Sequence, residues 1–134
     1  MPGESYDVVL LGGGTGGYAA AFRGAQLGLK VAVVEKDKVG GTCLHRGCIP
    51  TKALLKSGSV ARLMRDGAQY GVTATGIEID YSKAIERSGR IVEQNYKGLQ
   101  FLFRKHKIDI YEGVGRLKDN RTVIVTKADG STEE

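Results

Sequence analysis

The sequence of 134 residues contains no tryptophan, and it has only two prolines, two cysteines and two histidines. It also lacks an apolar run close to the roughly 18 residues that a membrane-spanning helix needs. A structural zinc site takes about four cysteine or histidine ligands, so it would consume every one of these side chains. We therefore predict no membrane segment and no metal site.

Glycine, by contrast, is abundant, with 20 residues against an ordinary share of about 7%. The glycines cluster at residues 12–17 and 40–41, which favours close approach of the backbone to a ligand over a disordered chain. The formal net charge is +5, but the basic residues are scattered, and the densest run, residues 104–107, falls at a predicted helix end. Cations there complement the helix dipole, so the charge predicts no nucleic-acid partner.

Residues 1–5 lack the charged and then apolar pattern of a secretory signal peptide. We therefore expect a cytoplasmic protein, in a compartment where thiols are kept reduced. In that compartment a close pair of cysteines is more often redox-active or metal-binding than a structural disulfide.

The start of the chain has the pattern of a β-strand, a helix and a second strand. Residues 6–11 and 31–35 are short apolar runs rich in β-branched residues, as in the buried strands of a parallel sheet. Between them, apolar residues at helical spacing predict a helix over residues 16–28, with Gly28 at its C-terminal cap. This βαβ unit predicts an α/β fold.

The rest of the chain is expected to add helices and then strands. Residues 42–66 predict a helix interrupted where Pro50 follows isoleucine, and Asp80 is the expected N-cap of a long amphipathic helix. Residues 108–112 alternate like a third strand. A β-hairpin is predicted from the two strand-like runs at residues 113–117 and 122–126, with one more turn at residues 129–130.

A glycine fingerprint of the form GxGxxG occurs once, with Gly12, Gly14 and Gly17 at its key positions. The first glycine permits a tight turn, the second lets a pyrophosphate approach the backbone, and the third lets the helix pack close to the sheet. Glu35 ends the second predicted strand at close to the expected spacing of about 20 residues, where a carboxylate accepts hydrogen bonds from ribose hydroxyls. The pattern predicts a dinucleotide ligand without distinguishing FAD from NAD.

Cys43 and Cys48 lie in the stretch GGTCLHRGCIPTK, soon after the second predicted strand. The residues between them allow the two sulfurs to reach disulfide range if the helix is locally distorted, which Gly47 and Pro50 would permit. The preceding glycines and the helix start favour a thiolate at Cys43. Zinc ligands, a structural disulfide and two inert thiols remain alternatives, and we favour a redox-active pair.

The stretch at residues 40–52 resembles the active-site signature of the class I flavoprotein disulfide reductases. Its continuation, KALL, is most similar to the dihydrolipoamide dehydrogenase branch of that family, and the resemblance extends over residues 6–126. It implies a Rossmann-like FAD-binding domain with a parallel sheet, long helices and a C-terminal β-hairpin. It also implies oxidation of dihydrolipoamide to lipoamide, with electrons passing through Cys43, Cys48 and FAD to NAD.

On matching positions the resemblance also implies a role for each site residue. Cys43 is then the interchange thiol, Cys48 lies against the flavin, and Lys52 lies near the reactive end of the flavin ring. The implied FAD contacts run from the pyrophosphate and ribose to the flavin and adenine, and comprise Gly12, Gly14, Gly17, Glu35, Lys36, Gly41, Thr42, Cys43, Cys48, Lys52, and Gly113 or Gly115.

Two departures from the family pattern bear on these expectations. His45 stands where many relatives have asparagine, and a histidine beside the thiols would change their electrostatic environment. Members of the family are also much longer, with an NAD-binding domain and an interface domain. We therefore interpret residues 1–134 as the N-terminal part of the FAD-binding domain, expected to be inactive alone.

The resemblance implies partners for the parent protein: a second copy in a homodimer and a lipoyl-bearing carrier domain of a 2-oxoacid dehydrogenase complex. Two alternatives stay open. The first alternative is a non-catalytic module that binds FAD or its ADP half. The second is the N-terminal part of a glutathione or mercuric reductase relative. No residue of the sequence selects among the substrates of these reductases.

Overall fold

The computed structural model describes residues 4–134, and it opens with the βαβ unit that the sequence predicts. Strand β1 (Val8–Leu11) leads into helix α1 (Thr15–Gln26), which returns to strand β2 (Val31–Glu35). The two strands pair in parallel. Gly28 has φ of +85° just past the end of α1, which is the left-handed conformation expected where a helix stops.

Two further helices carry the cysteines, and they are separated at Gly47. They are α2 (Gly41–His45) and α3 (Cys48–Arg65). The expectation that Pro50 interrupts the helix is wrong, because Pro50 lies in the first turn of α3, where its missing N–H has no helical partner to lose. The break falls at Gly47, where a Cβ would lie 3.0 Å from the carbonyl oxygen of Thr42.

A single-turn 3-10 helix (Gly67–Tyr70) follows, and then the long helix α4 (Tyr81–Lys105) packs against α3. The carboxylate of Asp80 accepts a hydrogen bond from the Lys83 N–H at 3.1 Å, which confirms the predicted N-cap. Ser88 is buried, and its hydroxyl donates to a carbonyl in the first turn of α3 at 3.3 Å. Within residues 4–134, no helix combines the length and the apolar character needed to cross a bilayer.

The parallel sheet is completed by β3 (Asp109–Glu112), giving the order β1-β2-β3 with β2 in the centre. Four residues of β2 are 3% exposed or less, so both of its faces are covered. On one face, Val31 and Val33 pack in the main core cluster with Ala21 of α1 and Phe103 of α4. The apolar run at residues 31–34 of β2 is explained by this double burial.

A second, antiparallel sheet covers the other face of the parallel sheet. It has the order β4-β5-β6, from β4 (Val114–Leu117), β5 (Val123–Thr126) and the short strand β6 (Thr132–Glu133). The predicted hairpin is confirmed, and the turn after it leads into β6, which the sequence analysis did not assign. Gly115 sets the approach of the two sheets, since a Cβ there would lie 2.6 Å from Leu11 and 2.9 Å from Val34.

The amino end of the parallel sheet is held together by the hydroxyl of Tyr6. This oxygen lies 2.7 Å from a carboxylate oxygen of Glu4, 2.8 Å from one of Asp109, and 2.8 Å from the hydroxyl of Tyr111. Burial, followed by these hydrogen bonds, raises the pKa of Tyr6 well above its ordinary value. The cluster ties the start of β1 to β3 at the end opposite the glycine turn.

Candidate functional site

The glycine turn joins β1 to α1 at the carboxyl end of the parallel sheet. Gly12 has φ of +101°, and its N–H donates to the Val34 carbonyl at 2.8 Å, which fixes the turn beside β2. A Cβ on Gly17 would overlap the Gly12 carbonyl oxygen, so the close passage of α1 over β1 requires glycine there. A Cβ on Gly14 would meet no atom within 4 Å. The fold itself therefore leaves open space at Gly14.

The N-terminus of α1 opens onto this space. Gly14 is its N-cap, and within the described residues no side chain caps the helix and no acidic side chain lies in its first turn. The first N–H groups of a helix lack helical partners and carry its positive dipole end. Backbone donors of a helix with no acidic side chain in its first turn suit an anionic ligand such as a pyrophosphate.

The carboxylate of Glu35 lies at the same edge of the sheet and already holds the turn in place. Its Oε2 accepts the Gly13 N–H at 2.7 Å, and its Oε1 accepts the Asp37 N–H at 3.0 Å. Each oxygen has a further lone pair, so the carboxylate can also accept ribose hydroxyls. Lys36 is exposed beside it, and the Gly113 N–H donates to the Glu35 carbonyl at 3.0 Å.

The glycine turn is in direct contact with the segment that carries the cysteines. The Gly40 N–H donates to the Gly13 carbonyl at 2.7 Å. A Cβ on Gly41 would lie 2.8 Å from the Cα of Gly14, so the two backbones touch here. Gly40 and Gly41 have φ of +108° and +61°, which glycine adopts without the steric cost that other residues meet. A ligand on the glycine turn would therefore lie beside the start of α2.

Cys43 and Cys48 form a disulfide across the break between α2 and α3, with their Cα atoms 4.6 Å apart. Cys43 is half-buried, whereas Cys48 is exposed as the first residue of α3. Thr42 and Lys52 are also exposed, and Lys52 lies one turn along α3 from Cys48. The structure thus brings the glycine turn, Glu35 and the disulfide segment to one region.

Gly115 is set apart from the other predicted site residues. It lies on β4 between the two sheets, where it faces Leu11 and Val34. Among residues 4–134, no three His, Cys, Asp or Glu side chains converge to hold a metal ion.

Gly13 and Gly40 are the contacts that the sequence analysis missed. Gly13 is buried, and a Cβ there would lie 3.0 Å from a methyl group of Val39. The fingerprint treats this position as variable, so the only signal in the sequence is the run of consecutive glycines. The same holds for Gly40, which precedes the cysteine helix.

His45, the departure noted in the sequence, faces α4. Its Nε2 lies 2.9 Å from the carbonyl oxygen of Val39, and its ring meets that of Tyr96 edge-on at a centroid distance of 5.0 Å. Spacing along the chain could not predict this contact, because Tyr96 lies on a distant helix.

A dinucleotide-type glycine turn in contact with the segment that carries a disulfide defines a class of redox proteins that combine a nucleotide cofactor with a cysteine pair. Residues 6–133 match the family described as pyridine nucleotide-disulphide oxidoreductase, and the chain belongs to that family.

Individual relatives carry a more specific name. A dihydrolipoyl dehydrogenase of Bacillus subtilis is 55% identical over 112 residues, which cover 84% of this chain and 24% of that protein. Proteins of the same name from Acholeplasma laidlawii and Zymomonas mobilis are each 43% identical, over 91% and 95% of this chain. The match spans 37% and 27% of their respective lengths, so the chain corresponds to a minor part of these relatives.

Proposed function

We propose that this chain supplies the FAD-binding turn and the redox-active disulfide of a dihydrolipoamide dehydrogenase. The observation that carries the proposal is the backbone contact between Gly14 of the turn and Gly41 at the start of the cysteine helix. The names of the relatives support dihydrolipoamide as the substrate. On this proposal, residues 1–134 form the first part of an FAD-binding domain, and NAD binds elsewhere in the whole protein.

The residues present fit FAD. The open space at Gly14 and the free N–H groups of α1 would receive the pyrophosphate, while Glu35 and Lys36 would flank the adenosine ribose. Gly113 lies at the same edge as Glu35 and would approach the adenine. The flavin would then run past the segment that comprises Gly41, Thr42, Cys43, Cys48 and Lys52.

The cysteine pair would carry the substrate chemistry. A thiolate of dihydrolipoamide attacks the Cys43 sulfur, breaking the disulfide and releasing Cys48 as a thiolate. The second substrate thiol then attacks the substrate sulfur bonded to Cys43, which frees Cys43 and closes the ring of lipoamide. Two electrons pass to the cysteine pair, and the two substrate protons go to the protein thiols or to water. When bound, FAD would accept an electron pair from the reduced cysteines and transfer it to NAD.

Helix starts support the thiolates that this exchange needs. Cys48 is the first residue of α3, a helix of 18 residues, and Cys43 lies in the first turn of α2. Unpaired N–H groups at a helix N-terminus stabilise a nearby anion such as a thiolate. Lys52, one turn along α3, would add a positive charge near the reduced flavin.

The proposal extends to the partners of the whole protein. It includes a homodimer and a lipoyl-bearing carrier domain of a 2-oxoacid dehydrogenase complex as the source of the substrate. The alternatives are a glutathione or mercuric reductase relative and a non-catalytic FAD-binding module, and substrate specificity separates them.

The test measures substrate specificity in the whole protein that contains this chain. We expect NAD-dependent oxidation of dihydrolipoamide at about 1 per second or faster. Glutathione disulfide and mercuric ion should be reduced at least about 100-fold less efficiently, judged by kcat/KM. Preferred turnover of glutathione disulfide or of mercuric ion would favour a glutathione or a mercuric reductase relative, respectively. No turnover of any of the three substrates would favour the non-catalytic module. The isolated 134-residue chain serves as the control and should show no NADH-dependent reduction of lipoamide.

A further inference from the structure

His45 lies two residues from Cys43, yet the proposed chemistry gives it no role. Its Nε2 is 2.9 Å from the Val39 carbonyl oxygen. Because a carbonyl oxygen only accepts hydrogen bonds, this nitrogen carries a proton and donates it. The bond ties the last residue of α2 to the loop that enters α2 after β2.

The same imidazole also contacts the long helix. Its ring meets the Tyr96 ring edge-on, with centroids 5.0 Å apart and planes at 72°. Tyr96 is half-buried against the main core cluster, and the ammonium of Lys38 lies 5.8 Å from its ring centroid. We call the contacts of His45 with Val39 and Tyr96 the His45 clamp.

The position of α2 depends on such contacts because the helix is only five residues long. A helix of this length is not stable alone in water. The disulfide joins Cys43 to α3, the buried side chain of Leu44 packs in the main core cluster, and the His45 clamp joins α2 to α4. The ion pair between Arg46 and Asp37 is highly exposed and adds little.

We propose that His45 is a positioning residue whose clamp holds α2 in the place where the Cys43–Cys48 disulfide forms. When the disulfide is reduced, the short backbone between the cysteines and the non-covalent contacts of α2, among them the His45 clamp and the buried Leu44, keep Cys43 near Cys48. Losing the clamp then broadens the positions of α2 in the reduced protein, and closing the disulfide must restrict them again. The clamp and the disulfide therefore favour each other, as linked equilibria require.

The test measures the equilibrium of the disulfide with dithiothreitol in the whole protein. Dithiothreitol gives two electrons and two protons to the cysteine pair and closes to its own ring disulfide, so the exchange balances. The mixtures are quenched with acid and alkylated, and mass spectrometry of the peptide that carries both cysteines gives the oxidised fraction. Unfolding midpoints of the oxidised and reduced proteins are measured in parallel.

Three variants separate the parts of the clamp. We expect His45→Ala to lower the equilibrium constant for disulfide formation about three- to tenfold, with the full worth of one hydrogen bond and its ring contact as the upper limit. His45→Gln keeps a donor near the Nε2 position and should recover part of this loss. Tyr96→Leu removes the ring partner and should lower the constant by an intermediate factor.

His106 is the matched control, because it is the other histidine of the chain and its ring also packs on an aromatic ring, at 5.8 Å from Phe22. His106→Ala should leave the disulfide equilibrium within about twofold of the wild type. Unchanged equilibria in His45→Ala and Tyr96→Leu, even with lower unfolding midpoints, would overturn the proposal. They would show that the clamp stabilises both redox states equally. If His45→Ala does not fold, the glutamine and Tyr96 variants decide.

This inference rests on the disulfide and its surroundings and does not require FAD or dihydrolipoamide. If the proposed function failed, the exchange with dithiothreitol would still be measurable, so the two failures are distinguishable.

Discussion

Replacing Cys43 with serine is expected to abolish disulfide turnover in the whole protein, with kcat/KM for dihydrolipoamide reduced by more than about a thousandfold. Serine lacks the sulfur that the substrate thiolate attacks, so the first exchange step cannot occur. Replacing Cys48 should cause a loss of similar size, because no partner remains to close the disulfide. The rates are measured as NADH formation with dihydrolipoamide and NAD.

Covalent trapping distinguishes the two cysteines. In Cys48→Ser, the remaining Cys43 should form a mixed disulfide with oxidised lipoamide, visible as an added mass on the protein. Cys43→Ser should form this adduct much more slowly if Cys48 is shielded by the flavin. Ser59→Ala is a suitable control, since Ser59 is exposed on α3, the helix that begins at Cys48. Within the described residues, its hydroxyl donates only to the Leu55 carbonyl. Wild-type turnover in either cysteine variant would contradict the assignment of the pair.

Gly14→Ala is expected to weaken FAD binding by about 100-fold or more without unfolding the protein. The backbone angles of Gly14, φ −70° and ψ −171°, are accessible to alanine, and the added Cβ meets no protein atom within 4 Å. The new methyl group would instead fill the space that the pyrophosphate needs. Bound flavin after desalting and the unfolding midpoint of the flavin-free protein measure the two effects separately.

Gly16→Ala is the matched control for this prediction. Gly16 lies two residues further along the same turn of α1, and its Cβ would also meet nothing within 4 Å. It occupies a variable position of the fingerprint, so we expect flavin binding to stay within about threefold of the wild type. Alanine in the helix should also raise the free energy of unfolding by about 0.5–1 kcal/mol. Equal flavin affinity in both variants would argue against pyrophosphate binding at Gly14.

Much of the fold could be predicted from the sequence because its strongest patterns are local. The apolar residues 31–34 of strand β2 are buried on both faces, and α4 follows its N-cap Asp80 and buries Leu99 and Phe103, in line with its periodicity. The predicted break at Pro50 is wrong, and the two cysteine helices separate at Gly47 instead. A proline in the first turn costs a helix nothing, whereas Gly47 is needed where a Cβ would crowd the Thr42 carbonyl.

The candidate site was predictable in its motifs and less so in its contacts. The fingerprint predicts Gly12 and Gly14 in the turn after β1 and Gly17 in the first part of α1, as the structure has them. The contact of that turn with Gly40 and Gly41 depends on tertiary packing, which periodicity does not encode. The contact of His45 with α4 was beyond sequence reasoning for the same reason.

We propose that the glycine turn holds FAD beside the Cys43–Cys48 disulfide. The visible absorption spectrum of the purified whole protein, recorded during stepwise reduction, tests it most directly. We expect a retained flavin band and, when the cysteine pair is reduced, a new long-wavelength shoulder that Cys48→Ser lacks. A protein without flavin after incubation with FAD would contradict this placement of FAD. So would a flavin spectrum that does not change when the cysteines are reduced.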